Sequence, residues 1–415
     1  MDREAERTAG NMAIRDVVFV QFSDRLLTPI DIMRRYYRYA YSAMPGYVLP
    51  PHYMEIPFWI PVISGMLPDE LYRKSLHIAT DQDELIRLAR ATDEESVFLF
   101  SVLETNLRYV KDFVSRVRRP TVLGGYTDPA EFSGHDHVRY LGGLDELGSQ
   151  FPGVRRSATP DYRLFAGDHV IPRFSLSSGC SFRCNFCSVP TQLTLTPVDR
   201  VAENAEAYRP LSFELVYVDD KSFGEARNWR ALGDVGRRIS AYNPGFLGFI
   251  VQTPPSLACR DGFIQECWDM GVRYIEFGLE ICDDRWLAHL RKPFRMRHVE
   301  QAMELATAAG MKVVPNLIFG IPGADYTGTV DWISRNAAHI PAVNVNWLAV
   351  HQGNERGGLG LPHREQGNSD EHSDRKTWLS ESERDHGWQA IRRIYAATAP
   401  GFPVEPLVTA DMSGR

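Results

Sequence analysis

The chain has 415 residues, of which 44% are hydrophobic and 24% charged, so it is long enough for more than one core and is neither fibrous nor disordered in composition. Its formal net charge of −7 argues against a general polyanion binder, and no nucleic-acid partner is expected. The first residues, MDREAERTAGN, lack the apolar stretch of a signal peptide, and the most apolar segment, residues 56–67, is too short to span a bilayer. We therefore expect a cytoplasmic protein with no membrane partner.

The N-terminal part of the chain predicts a strand–helix–strand unit. RDVVFVQF, residues 15–22, is typical of the first strand of a parallel sheet, whereas the next sixty aromatic and proline-rich residues give no clear pattern. ESVFLFSVLETN predicts a buried strand, helical spacing of apolar residues follows it, and TVLGGY predicts the next strand. Such units bind ligands at the carboxyl ends of their strands, which makes Gly124 and Gly125 candidate binding residues. A simple tight turn is an equally good interpretation of these glycines.

Beyond a polar connector at residues 145–163, strand and helix patterns alternate six times. The predicted strands are PRFSLSS, FELVYVDD, FLGFIVQT, VRYIEFGLE, KVVPNLIFG and VNVNWLAV, and helical patterns such as HVEQAMELATAAG lie between them. This alternation predicts a parallel, barrel-like sheet that is open or partly closed. Residues 351–375 show no periodicity and predict a loop.

The segment SSGCSFRCNFCSVP, residues 177–190, holds Cys180, Cys184 and Cys187, half of the six cysteines of the chain. In a reducing compartment such clustering favours metal ligation over disulfides. Three thiolates can bind three irons of a four-iron cluster and leave the fourth iron open to a small chelating ligand. Zinc is a competing interpretation, although no second paired ligand group follows, and three unrelated buried cysteines are another.

The C-x3-C-x-aromatic-C spacing, with Phe186 in the aromatic place and six strand–helix repeats behind it, resembles the radical S-adenosylmethionine (SAM) superfamily. The resemblance implies that Cys180, Cys184 and Cys187 hold a [4Fe-4S] cluster and that Phe186 lies beside the SAM adenine. It also implies that SAM chelates the fourth iron and is cleaved by electron transfer to methionine and a 5'-deoxyadenosyl radical. A small-molecule substrate and a reducing partner such as flavodoxin or ferredoxin are expected on the same grounds.

Three later segments, ELVYVDDKSF, IEFGLEICDDRWLAHLRK and NLIFGIPGAD, resemble segments of this superfamily in the same order. The first implies that Asp219 and Asp220 contact the SAM amino group or the substrate as candidate catalytic residues. Helix N-capping explains one of these two carboxylates equally well. The other implied SAM-binding residues are Glu280 at the ribose, Arg291 or Lys292 at the carboxylate, and Gly320 where the backbone approaches the adenine.

The N-terminal unit, together with VRYLGGLDEL and PDYRLF, resembles the cobalamin-binding-domain branch of the superfamily, which includes methyltransferases and cyclases. The resemblance implies cobalamin near Gly124 and Gly125. A histidine-ligated cobalamin calls for Asp-x-His-x-x-Gly in this domain, and the sequence has no such motif there. Either cobalamin binds without a protein histidine or the domain has another role.

The predicted fold class is α/β, with a Rossmann-like domain of cobalamin-binding type over residues 1–150, a partial (βα)6 TIM-like radical SAM barrel over residues 165–350, and a C-terminal loop and helical extension over residues 351–415. The predicted function is cobalamin-dependent methyl transfer to a small natural-product substrate. The alternatives are rearrangement, cyclisation or aminocarboxypropyl transfer without cobalamin and, more remotely, a non-catalytic metal-binding protein. Cys259, Cys267 and Cys282 are expected to be small buried hydrophobic residues.

Overall fold

The computed structural model describes residues 14–27, 31–125, 127–156, 158–350, 359–362, 368 and 371–404. In this part of the chain, five parallel strands form a first sheet with the order β2-β1-β3-β4-β5. These strands are β1 (Arg15–Phe22), β2 (Tyr72–Ala79), β3 (Val97–Val102), β4 (Thr121–Gly125) and β5 (Val138–Tyr140). The order changes direction between β1 and β3, and doubly wound sheets bind ligands at such a switch point.

Two helices, Gln82–Ala91 and Leu107–Arg116, cover one face of the first sheet. The second helix forms because its apolar residues recur at helical spacing, and Val110, Phe113 and Val114 are all buried against the sheet. Four of the six residues of β3 are hydrophobic and buried in succession, as expected for a central parallel strand covered on both faces. The other face belongs to a larger core that continues into the second sheet.

The second sheet has six parallel strands in the order β13-β12-β11-β10-β9-β6, so the strands lie side by side in sequence order. They are β6 (Arg173–Phe174), β9 (Leu215–Val218), β10 (Gly248–Gln252), β11 (Val272–Glu280), β12 (Lys312–Phe319) and β13 (Asn344–Trp347). A short antiparallel hairpin, β7 (Ser177–Ser178) and β8 (Thr194–Leu195), follows β6. This half-barrel beside a first parallel sheet confirms the predicted α/β fold class.

Helices connect the strands of the half-barrel, and one long helix follows it. They are Val198–Ala207, Leu232–Tyr242, Pro255–Ala258, Phe263–Asp269, Asp284–His289, Met296–Ala308, Thr327–Asn336 and the last helix, Glu381–Thr398. Single 3-10 turns lie at Pro129–Phe132, Leu144–Ser149, Arg163–Phe165, Trp229–Ala231 and Ala337–His339. The last helix begins where Ser380 and Glu383 bond each other's backbone N–H groups, a capping box that the sequence analysis did not use.

The long connection between β1 and β2 carries three helices, Asp24–Leu27, Ile32–Ser42 and Trp59–Met66. The middle helix lies against β13, the edge strand of the second sheet. Its Tyr37 hydroxyl donates to the Val345 carbonyl (2.7 Å) and accepts from the Val345 N–H (2.8 Å). At the opposite edge, Arg173 on β6 forms an ion pair with Glu55 of the same connection. This connection, which we call the β1–β2 insertion (residues 24–71), therefore reaches both edge strands of the half-barrel.

Two predicted segments lie wholly or largely outside the described residues. They are the N-terminal residues 1–13 and most of the predicted loop at residues 351–375. The apolar stretch at residues 56–67 contains the short helix Trp59–Met66. Within the described ranges, none of the helices combines the length and apolar character that crossing a membrane requires.

Candidate active site

A cavity of ≈940 Å³ lies at the carboxyl ends of both parallel sheets. The first sheet contributes Gln21 at the end of β1 and Ser101 near the end of β3, which flank the switch point. The second sheet contributes residues from each of its six strands or the residues directly after them. Parallel sheets bind ligands at this end, and the volume is at the upper end of the about 300–1,000 Å³ usual for small-molecule sites. The cavity is therefore the candidate active site.

The three clustered cysteines all line this cavity as half-buried free thiols. They lie on the loop between β7 and β8, where the Cys180 N–H donates to the Pro190 carbonyl (3.0 Å) and the Cys187 N–H to the Cys184 carbonyl (3.3 Å). No three His, Cys, Asp or Glu side chains of the described residues converge so as to hold one metal ion. A [4Fe-4S] cluster does not require such convergence, because each thiolate binds a different iron. The donor set therefore fits a cluster bound at one wall of the cavity.

Burial controls the protonation of these thiols. It raises the pKa of Cys180 and raises the pKa of Cys184 to about 11, although the Lys292 ammonium opposes the shift at Cys184. Without added positive charge both groups are neutral at pH 7, and metal binding supplies the charge that favours the thiolate. The other three cysteines, Cys259, Cys267 and Cys282, pack in the apolar core and do not line the cavity.

An ion pair between Lys292 and Glu280 lies beside the cysteine loop. The Lys292 ammonium is 2.6 Å from Glu280 Oε1, each side chain is only 10% exposed, and both line the cavity. Burial lowers the pKa of Lys292, but the negative charge of Glu280 and its hydrogen bond outweigh this effect and raise the pKa above its ordinary value. Glu280 has φ of +63° at an irregularity in the β11–β12 pairing, a strained backbone that such sites often contain.

Phe186 joins this pair, because its ring centroid is 5.6 Å from the Lys292 nitrogen. The cysteine loop is tied to the helix Asp284–His289, since the Asn185 side chain donates to the His289 carbonyl (2.7 Å). The structure therefore brings Phe186, Glu280 and Lys292 together with the three cysteines. Arg291, the alternative to Lys292 in the sequence analysis, is exposed and does not line the cavity.

The two adjacent aspartates have different surroundings. Asp220 is fully buried and accepts hydrogen bonds from the Leu176 N–H (2.7 Å), the Ser177 N–H (3.0 Å) and the Ser177 hydroxyl (2.7 Å). These bonds fix the start of the cysteine loop and occupy both carboxylate oxygens. Asp219 is partly exposed and pairs with Lys221 (2.7 Å) and Arg173 (3.1 Å). Neither aspartate lines the cavity, so this arrangement supports a structural role for Asp220.

The predicted glycines lie near the ends of two strands. Gly124 and Gly125 end β4, and a Cβ on Gly124 would meet no atom within 4 Å, so open space borders it. Gly125 has φ of +123°, and its Cβ would lie 2.1 Å from the Val102 carbonyl oxygen, which only glycine tolerates. Gly320 follows β12 with φ of +77° and is packed against Trp347. None of the three is among the cavity-lining residues.

The sequence analysis missed a polar group on the floor of the cavity. Its members lie on β9, β11, β12 and β13 of the half-barrel and are Tyr217, Glu276, Asn316 and Asn344. They are hydrogen-bonded to one another in part, with the Tyr217 hydroxyl 2.9 Å from Glu276 Oε2. This group could have been found from the sequence by its polar residues on strands that are otherwise buried on both faces, as in KVVPNLIF and NVNW. Among the histidines that the structure describes, His372 lines the cavity.

A half-barrel of six parallel strands, with three cysteines on the loop after its first strand, defines a radical SAM domain. Residues 174–331 match the family model of the Radical SAM superfamily, and this segment spans most of the half-barrel. The predicted family is thereby confirmed. A Radical SAM domain implies SAM and a [4Fe-4S] cluster as cofactors.

Two curated proteins and a number of solved structures resemble the chain. The molybdenum cofactor biosynthesis protein moc-5 of Caenorhabditis elegans is 25% identical over 162 residues, which are 38% of this chain and 26% of that protein. The hopanoid C-3 methylase of Methylococcus capsulatus is 25% identical over 147 residues, 34% of this chain and 27% of the methylase. The chain thus matches about a quarter of the length of each curated relative.

One of the solved structures is that of the radical SAM methyltransferase TsrM from Kitasatospora setae, with cobalamin and a [4Fe-4S] cluster bound. It aligns with a TM-score of 0.57 at 12% identity, over 97% of this chain and 93% of TsrM. At this identity the likeness concerns the fold. It extends over both sheets, so the first sheet of this chain has a counterpart in that enzyme.

Proposed function

We propose that the chain is a cobalamin-dependent radical SAM methyltransferase that acts on a small natural-product substrate. The observation that carries this proposal is the single cavity, which the cysteine loop and the switch point of the first sheet both line. A cofactor bound at the first sheet would thereby face a cluster bound at the cysteine loop. The fold likeness to TsrM and the partial likeness to a methylase support the same reaction class.

The residues that would hold the cofactors follow from their positions. Cys180, Cys184 and Cys187 bind the cluster, while Lys292 and Glu280 offer a cation and a carboxylate for the polar groups of SAM. Gly124 borders open space near the carboxyl end of β4, and a cofactor against the first sheet would use this space. When bound, the cluster supplies an electron to SAM and cobalamin carries the methyl group.

The same proposal includes a reducing partner and a location. A small electron-transfer protein such as flavodoxin or ferredoxin would reduce the cluster, and the cytoplasm would keep the three thiols reduced. Asp219 and Asp220 would act in this scheme by fixing the cysteine loop and its neighbourhood, as their hydrogen bonds suggest.

The test is the cofactor content of the protein purified without oxygen from a cobalamin-supplied host. We expect about four irons per chain after reconstitution, about one corrinoid, and S-adenosylhomocysteine as a product of SAM. Cys184→Ala should lose most of the iron, whereas Cys259→Ala, which removes a thiol outside the cavity, should keep it.

Iron without corrinoid would refute the methyltransferase proposal. The SAM product would then identify the alternative, since 5'-deoxyadenosine indicates hydrogen abstraction followed by rearrangement or cyclisation, and methylthioadenosine indicates aminocarboxypropyl transfer. Zinc in place of iron, with no SAM cleavage, would point to a non-catalytic metal-binding protein.

A further inference from the structure

The buried carboxyl group of Glu276 has no role in the function proposed above. Glu276 lies on β11, is 4% exposed and lines the cavity. It precedes Glu280 by four residues on this strand, and the pairing of β11 with β12 is irregular between Gly278 and Glu280. Glu280 lies beside the cysteine loop, and Glu276 therefore lies deeper in the half-barrel, away from the cluster and on the floor of the cavity.

A chain of hydrogen bonds leads to Glu276. The Tyr41 hydroxyl donates to the Asn344 side-chain oxygen, and the Asn344 amide donates to Asn316 Oδ1 (2.6 Å). The Asn316 amide donates in turn to Glu276 Oε2 at 3.4 Å, the same oxygen that accepts from the Tyr217 hydroxyl at 2.9 Å. Every donor in this chain points toward the carboxylate. Among the described residues, no donor bonds to the other oxygen, Oε1.

No Lys, Arg or His of the described part of the chain forms an ion pair with Glu276. The nearby cation is Arg173, whose guanidinium is paired with Glu55 and with Asp219 (3.1 Å) and stacks on the Tyr217 ring at 4.4 Å. Buried carboxylates in proteins are normally paired with a cation or fully hydrogen-bonded. Glu276 thus has an acceptor oxygen and a negative charge that no hydrogen-bond donor or ion pair of the described residues matches.

Aromatic rings surround the same part of the cavity. Tyr41 and Tyr47 both line it, with their ring centroids 4.6 Å apart, and Tyr217 lines it beside Glu276. The faces of such rings attract cations, and an ammonium ion between rings and a carboxylate is a common mode of amine recognition. Burial raises the pKa of Glu276 to about 7, and a bound cation would favour its charged form.

We propose that Glu276 binds a protonated amine of the substrate, so that the substrate is a small molecule with a basic nitrogen. The amine would donate to Oε1 while Tyr217 and Asn316 hold Oε2. This inference deepens the proposed function and rests on it, because it takes the cavity to be the substrate site. Both Glu276 and Glu280 line the cavity, so a substrate bound at Glu276 would extend from there toward SAM at Glu280.

The test compares amines with uncharged analogues of the same shape. The probes are benzylamine and phenethylamine, each paired with its alcohol, benzyl alcohol and 2-phenylethanol. Dissociation constants are measured at pH 7 by saturation-transfer NMR on the full chain with its cluster reconstituted and SAM present. We expect each amine to bind at least tenfold more tightly than its alcohol. Glu276→Gln should reduce this ratio to about one, whereas Glu300→Gln, on an exposed helix position, should leave it unchanged.

A second variant distinguishes loss of the Glu276 charge from loss of the folded structure. Glu276→Asp keeps the negative charge, and we expect it to retain a preference for amines, so that loss in Gln and retention in Asp assign the effect to charge. Equal binding of amine and alcohol to the wild type, no binding of either, or an unchanged ratio in Glu276→Gln would each overturn the inference.

The amine-binding inference and the methyltransferase proposal can fail independently of each other. If iron and corrinoid are bound but the amine preference is absent, the inference fails while the methyltransferase proposal stands. If the preference depends on Glu276 but no corrinoid is bound, the amine site stands while the methyltransferase proposal fails.

Discussion

The ion pair of Lys292 and Glu280 connects several features of the site. Glu280 ends β11 in a left-handed backbone conformation, and Arg291, just before Lys292, has φ of +57°. One member of this buried salt bridge and the residue before the other member therefore both have positive φ. Such strain persists only where the surrounding structure requires it, and at this position it directs both side chains toward the cysteine loop.

We predict that Lys292→Met lowers the free energy of unfolding of the metal-free protein by about 3 kcal/mol, because it leaves the Glu280 carboxylate buried without its partner. The double variant Lys292→Met/Glu280→Leu should regain most of this loss, since it removes both charges together. Urea unfolding measures both values. Neither variant should cleave SAM, and full activity in the single variant would contradict the assigned role.

Glu276 gives a prediction about pH. Its pKa in the folded protein is raised by burial to about 7 from the ordinary 4.5, so its ionisation costs stability. The cost is absent below about pH 4.5, grows as the pH rises and is complete above about pH 7. Between pH 5 and pH 8 the stability of Glu276→Gln relative to the wild type should therefore rise by about 2–3 kcal/mol. Urea unfolding at the two pH values tests this, and a constant difference would show that Glu276 ionises normally.

At the residue scale, sequence reasoning works where spacing carries the chemistry. The three cysteines and Phe186 are identifiable because eight consecutive residues contain the whole pattern. Glu276 and Asn316 are not, because they lie 40 residues apart and meet only when β11 and β12 pair. The same limit applies to the choice between Arg291 and Lys292, since only the fold shows which of two adjacent cations is buried.

Among the elements, the helix Ile32–Ser42 packs against an edge strand and bonds to its backbone through side chains. Its tyrosines bond to the backbone of β13 and the residue before it, with Tyr37 at Val345 and the Tyr36 hydroxyl accepting from the Val343 N–H at 3.2 Å. An edge strand has unpaired backbone groups that invite association with other chains. Side-chain hydroxyls of the helix satisfy these groups in place of a further strand.

We predict that Tyr37→Phe lowers the free energy of unfolding by about 2 kcal/mol, because it leaves the buried N–H and carbonyl of Val345 without a partner. Tyr39→Phe is the matched control on the same helix. Tyr39 is 42% exposed and donates to the Pro400 carbonyl at 3.2 Å, so its loss should change stability by less than about 0.5 kcal/mol. Equal effects of the two substitutions would show that the hydroxyl of Tyr37 does not stabilise β13.

The elements themselves were predictable to different degrees. All six strands of the half-barrel lie within the predicted segments, because buried parallel strands appear as short β-branched runs. The observed strands are mostly shorter, and PRFSLSS yields only Arg173–Phe174 before the chain turns into the β7–β8 hairpin. The helix Ile32–Ser42 of the β1–β2 insertion has local signals that were not used, since the Asp31 side chain caps it and its buried residues recur at helical spacing. Its position against β13, about 300 residues later, could not be predicted, because no local pattern encodes that contact.

On the scale of the whole molecule, two parallel sheets present their carboxyl ends to one cavity. Fold-level reasoning predicted both sheets, and the rule for parallel sheets predicted at which end each binds ligands. The structure adds that the two ends share one cavity. The proposed domains, residues 1–150 and 165–350, follow one another along the chain but are in contact in the fold. Residues 24–71 of the first domain contact both edge strands of the half-barrel.

The β1–β2 insertion also has a consequence for the order of events during synthesis. Tyr37 and Val345 are 308 positions apart, which at about 5–20 residues per second corresponds to about 15–60 s of translation. Throughout this interval the tyrosine-rich face of the helix Ile32–Ser42 has no strand to cover. The helix is therefore synthesised early but reaches its final position only after β13 has been made. Until then the nascent chain must keep this face of the helix from contacting other partners.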